Sequence, residues 1–334
     1  MFVKAQVTML FAVFASAQTW TVQPVATTAS LRGIHAVNGK IAWASGTAGT
    51  VLRTVDAGVH WSVMNVPGAD ELDFRDVHAV DKRTAYVLSS GTGVKSKIYK
   101  TTDAGSHWNL LFTNEDAKGF FDAFAFWDAK HGVLVGDPVG GHFVILTTKD
   151  GGATWIKRNT PAALEGEGAF AASGTCIAVR GAKEVWFATG GARVFHSLDG
   201  GENWTVAPTP IRHDGAAAGI FSLAFSNDGH GVAVGGDYSK PSESQGNVAV
   251  TADWGASWTE PAGRPDGFRS AVEYVAKEKA WIAVGTGGSD ISRDGGSSWV
   301  RVDSGVYNAV SYPWAVGPKG QMARWGGGKN AGRR

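Results

Sequence analysis

An eight-residue pattern, [ST]-x-D-x-G-x-x-W, occurs six times in this chain. The copies run Thr54–Trp61, Thr101–Trp108, Thr148–Trp155, Ser197–Trp204, Thr251–Trp258 and Ser292–Trp299. Their aspartates are Asp56, Asp103, Asp150, Asp199, Asp253 and Asp294, spaced 41 to 54 residues apart. A period of that size marks a repeat architecture, and it constrains the fold more than any local motif. The residue types describe a turn. The carboxylate can accept backbone N–H groups one or two residues on, and the Ser or Thr hydroxyl can close the same loop. Glycine supplies a left-handed backbone at little cost. The tryptophan opens the next strand and buries its ring between neighbouring repeats.

Between boxes every period carries the same signals. A first apolar strand with a polar start is followed by a turn, a small-residue strand ending near Gly, and a third strand running into the box. Leu31 to Val37 with Ile41 to Gly46, and Phe74 to Val80 with Ala85 to Ser90, are examples. The residues are β-branched, aromatic or small, and Gly, Asp and Asn punctuate them, as short strands require. Glycine makes up 46 of 334 residues, about twice the usual ~7%. The excess sits in turns.

After the sixth box one more set follows (Tyr307 to Tyr312, Trp314 to Gly317, Gly320 to Trp325) without a seventh box. Trp20-Thr21-Val22-Gln23 looks like a stretch that follows a box. The expected fold is therefore all-β: a seven-bladed β-propeller of four-stranded antiparallel blades, its last blade closed by the N-terminal strand. Closure of this kind leaves no open edge across the seam.

The ends read differently. Lys4, the apolar run Val7 to Phe14 and Ala15-Ser16-Ala17 form an export leader over residues 1–17. The apolar run is too short to span a bilayer. The expected organisation is a leader (1–17), a propeller (18–325) and a disordered Gly/basic tail (326–334), in a monomeric protein that is secreted or periplasmic. The lone Cys176 lies in an apolar run and reads as a buried, inert thiol. Lys and Arg (31) balance Asp and Glu (30), so there is no basic footprint for nucleic acid. No nucleotide, zinc-protease or serine-hydrolase motif is present, the nine histidines lack ligand spacing, and neither metal nor cofactor is expected.

Topology turns sequence position into a face. With the innermost strand first, first-strand starts and the turns between strands two and three share one face, and the boxes lie on the other. The candidate ligand residues are then Arg32, Arg75, Asp76, Asp122 and Arg269 at strand starts, with Asp137, Asp237 and Tyr238 in second turns. Three arginines with nearby carboxylates suit an anionic or polyhydroxyl ligand, because guanidinium pairs carboxylate bidentately.

The repeated box resembles the Asp-box, or BNR repeat, of sialidase-like β-propellers, in which the boxes are structural. Nearly the whole mature chain resembles the photosystem II stability and assembly factor family, propellers that bind protein partners. It also resembles bacterial exported BNR-repeat proteins, often labelled oxidoreductase or glycosyl hydrolase. Runs such as Phe74-Arg75-Asp76-Val77 and Gly236-Asp237-Tyr238 look like the bacterial set. The resemblance implies binding of an anionic or carbohydrate small molecule, or of a protein segment, at the channel mouth. A sialidase-like hydrolase and an oxidoreductase are the alternatives. Against the sialidase pattern, Phe74-Arg75-Asp76-Val77 lacks the Ile-Pro that follows that family's first arginine. Tyr238, or Tyr274 beside Glu273, would have to supply the phenol.

Overall fold

In a computed structural model, residues 18–326 are described. They form seven antiparallel sheets, six of four strands and one of three. Each first strand is innermost, for instance Leu31–Ala36 in blade 1, Phe74–Ala79 in blade 2 and Phe121–Phe126 in blade 3. The three-stranded sheet is blade 5 (Ala218–Phe225, Gly231–Asp237, Val248–Thr251), where a single bridge between Val250 and Thr259 stands for the fourth strand. Among the described residues the one helical element is a 3-10 turn, Gly93–Lys95, and no helix is long and apolar enough to cross a membrane.

The seventh sheet takes its outer strand from the other end of the chain. Thr19–Gln23 pairs antiparallel with Met322–Gly326, with Trp20 opposite Trp325. Residues 1–17, expected to form a leader, and 327–334 of the expected tail lie outside the described residues, whereas Gly326 pairs with Thr19.

Strands form where small and β-branched residues alternate between two packed faces, so the core is distributed between blades. Trp43, Val77, Val87 and Tyr99 join blades 1 and 2, and Trp186, Leu223, Ala233 and Trp258 join blades 4 and 5. Cys176 is buried in the interface between blades 3 and 4, beside Val135 and Phe187.

The boxes close the turn from third to fourth strand, though with a different wiring from the expected one. In the third copy the Thr148 hydroxyl donates to Asp150 Oδ1 (2.9 Å) and accepts the Gly152 N–H (2.9 Å). Asp150 Oδ1 accepts the Thr154 N–H, four residues on rather than one or two. The hydroxyl is the buried member and the carboxylate the exposed one. Bonds to the ionised form hold the Asp150 carboxyl down at about 2, first from the Thr154 side chain and backbone.

Candidate functional site

Four of the inner strands begin with the same irregularity. A β-bulge falls at Arg32, Arg75, Asp122 and Phe221, in blades 1, 2, 3 and 5. A bulge places one residue outside the ladder and re-aims its side chain. All four residues line one cavity of about 440 Å³ at the channel mouth, together with Asp137 and Tyr238 from second turns. A second cavity, about 430 Å³, opens at the opposite end of the channel. Its lining includes His35, His78 and Phe225 from the lower part of the inner strands and Trp254 of the fifth box. The strand starts and the boxes are therefore on opposite faces.

The first mouth has two unlike sides. On one, Arg75 Nε donates to Asp73 Oδ2 at 2.8 Å, and Arg32 Nε stands 3.9 Å from the same oxygen. One carboxylate thus serves two guanidinium groups. Arg32 Nε has no hydrogen-bond partner among the described residues. Burial, and then the neighbouring Arg75, lowers the Arg32 pKa, with Asp73 acting against both. Asn308 completes this side and donates Nδ2–H to Leu31 O at 2.8 Å, tying blade 7 to blade 1.

The other side is aromatic. The Phe170 ring stacks on Phe221 at 3.7 Å and 12°, and Tyr238 and Phe268 meet Phe221 edge-on. Phe170 belongs to the long connection between Lys157 and Ile177, which crosses the mouth. Three anchors hold it there. Arg75 Nη1 donates to Ala171 O (3.2 Å), Asp137 Oδ1 accepts the Ala169 N–H (2.9 Å), and the buried Glu167 takes Arg193 Nε (2.9 Å).

Beneath the mouth lies Asp122, wholly buried, with neither oxygen partnered among the described residues. Burial, then the adjacent Asp137, pushes its pKa well above the carboxylate range, and Arg75 offsets only part of this. Burial also raises Asp137, against the bond from Ala169.

Three residues expected at this mouth are elsewhere. Arg269 is fully buried: its Nε donates to Asp290 Oδ2 (2.7 Å), and its other nitrogens to Phe268 O (2.8 Å) and Asp266 O (2.7 Å). The first strand of blade 6 begins pairing at Ala271; Ser270, just before it, lines the rim, and Arg269, one residue earlier, is turned inward. Asp76 faces the second cavity and bridges blades 2 and 3, accepting the Phe124 N–H at 2.9 Å. Burial raises its carboxyl to about 7. Asp237 caps its own turn through the Ser239 N–H (2.9 Å) and hydroxyl (2.6 Å). Glu273 also lines the second cavity, away from the arginines.

Tyr238 lines this mouth as expected, and the residues absent from the sequence reading are Asp73 and the Phe170, Phe221 and Phe268 rings of the aromatic side. Phe221 was accessible in principle, since it holds the repeat position of Arg32, Arg75 and Asp122. Phe170 sits in an irregular connection and carried no repeat signal.

Residues 115–258 match the family model described as the photosynthesis system II assembly factor YCF48. The chain is a seven-bladed propeller, and within residues 115–258 its repeats are similar to that family's. A solved structure titled YCF48 bound to D1 peptide superposes with a TM-score of 0.65 at 15% identity, covering 94% of this chain and 99% of that one. YCF48 from Cyanidioschyzon merolae gives 0.62 at 17%, over 92% and 98%. The GH74 xyloglucanase from Xanthomonas campestris gives 0.62 at 16%, but this chain spans only 53% of that enzyme. At these identities the superpositions speak for the fold alone. No curated protein matches the sequence.

Proposed function

We propose that this chain is an exported propeller that binds a carboxylate-bearing protein segment over the arginine mouth, in the manner of an assembly factor. The observation that carries the reading is the sharing of Asp73 by Arg32 and Arg75 on one open cavity. Two guanidinium groups share Asp73, and Arg32 Nε has no partner among the described residues, so an incoming carboxylate can supply one. The likeness to a propeller whose printed title places it with a D1 peptide supports a peptide over a small molecule. The leader sequence supports export.

A glycoside hydrolase would need Asp122 as its proton donor, with Asp137 as the second carboxylate. The Asp122 side chain, though it lines the cavity, is fully buried, which favours binding over hydrolysis.

The test is a panel of acidic peptides, their Gln-substituted versions and sugar acids, titrated against wild type and Arg75→Ala. Acidic peptides should bind wild type, and Arg75→Ala should weaken them more than tenfold, about 1.4 kcal/mol. Binding indifferent to Arg75 overturns the reading. Sugar acids binding in preference to peptides would move it to a carbohydrate ligand.

A further inference from the structure

The mouth is divided, and the division specifies more than charge. Arg75 reaches the crossing connection at Ala171, one residue from Phe170. The guanidinium pair and the aromatic shelf are therefore neighbours. Phe170 is half-buried and Tyr238 is 54% exposed, so both present ring surface to an incoming group. Phe221 and Phe268 behind them are buried, which makes the shelf rigid. Large exposed rings beside a cavity, backed by buried rings, match the anchor pockets of protein interfaces, where aromatic groups and arginine dominate. The unpartnered Arg32 Nε on the facing side needs an acceptor.

Building on the peptide-binding reading, we infer that the mouth recognises two adjacent side chains: a carboxylate on Arg32 and Arg75, and an aromatic or large aliphatic group on Phe170 and Tyr238. The occupant is an acidic residue directly followed or preceded by an apolar one in an extended segment. Either half alone binds more weakly. An acidic residue alone leaves the shelf wet, and an apolar residue alone leaves the arginines with a single shared counter-charge. Recognition is by coincidence of the two, which rejects the many surface segments that are merely acidic.

The test uses the full chain and a fluorescein-labelled Gly-Ser-Glu-Phe-Ser-Gly peptide, with Glu→Gln and Phe→Ala versions, read by anisotropy. On wild type each change should cost tenfold or more in affinity. Tyr238→Ala, and Phe170→Ala with it, should erase the preference for Phe over Ala while keeping that for Glu over Gln. Arg32→Gln should do the reverse. Tyr238 is exposed, so that variant tests the shelf even if Phe170→Ala fails to fold. If wild type selects Glu over Gln through Arg32 but treats Phe and Ala alike, the two-part inference fails and the peptide-binding reading stands. A preference for Phe that survives both aromatic variants also overturns the inference. If wild type binds none of the peptides, or ignores Arg32, both fall.

Discussion

Asp122 occupies the same bulged position as Arg32 and Arg75, yet its carboxylate is wholly buried and has no hydrogen-bond partner among the described residues. An ionised carboxylate there is unfavourable twice over, through lost hydration and through Asp137. The folded chain therefore holds the Asp122 proton to higher pH than the unfolded chain, whose aspartates titrate near about 4. The stability associated with this proton is complete below that value and declines as pH rises from there through the raised folded pKa. Asp122→Asn keeps the shape and cannot ionise. Urea midpoints of the two proteins should coincide near pH 4 and then diverge, with the Asn variant the more stable by pH 8. Parallel profiles would mean that Asp122 has a donor in solution. Asp76 shares this behaviour, its carboxyl lying near 7, and its contribution falls between about pH 4 and 7 for the same reason.

At the scale of the element, the box was legible because its bonds are local. Thr148, Asp150, Gly152 and Thr154 lie within seven residues, and the side-chain chemistry alone implies a turn. What composition could not reveal was which atom is buried. Thr148 is 2% exposed, and its hydroxyl is the acceptor for the buried Gly152 N–H. Thr148→Val conserves shape and leaves that N–H unpaired, so it should cost about 1–3 kcal/mol. Peptide affinity should stay unchanged, because the box is on the face away from the arginines; thermal unfolding and a binding titration check both halves. Bulges were illegible for the opposite reason. Phe74-Arg75-Asp76 and Phe268-Arg269-Ser270 are near-identical to the eye, but one arginine is turned out and the other buried against Asp290. The difference lies in pairing partners. Blade 6 first pairs at Ala271, opposite Val284, so Ser270 rather than Arg269 takes the place before the ladder that Arg75 holds ahead of Asp76 in blade 2. Register between strands is non-local, and no single stretch encodes it.

For the whole molecule the consequential feature is the seam. The ring is closed on its outside by Thr19–Gln23, where Trp20 packs against Trp325 (5.0 Å between ring centroids) and Tyr307 (5.6 Å) and donates Nε1–H to the Ser289 hydroxyl at 2.9 Å. On its inside, blade 7 is held to blade 1 by different bonds: Leu31 N–H to Gly317 O at 3.0 Å, and Asn308 Nδ2–H to Leu31 O at 2.8 Å. Arg32 stands directly on this inner set. Closure and the binding mouth are therefore supported by separate contacts of blade 7, the outer ones toward blade 6 and the inner ones toward blade 1. Trp20→Ala removes the outer one. It should cost about 3–5 kcal/mol, as for other buried aromatic truncations. Loss of the closing strand exposes the Met322–Gly326 edge, which promotes pairing between molecules. Denaturant unfolding should show a lower midpoint and a reduced slope as the open ring becomes less cooperative, and native mass measurement should detect dimers. Below the transition, affinity for an Arg32-dependent peptide should remain at the wild-type value, because Leu31 and Asn308 still fix the strand that carries Arg32. A parallel loss of affinity and stability would instead mean that the mouth is held open by closure of the ring as a whole, and that the inner bonds to blade 1 do not survive without the outer strand.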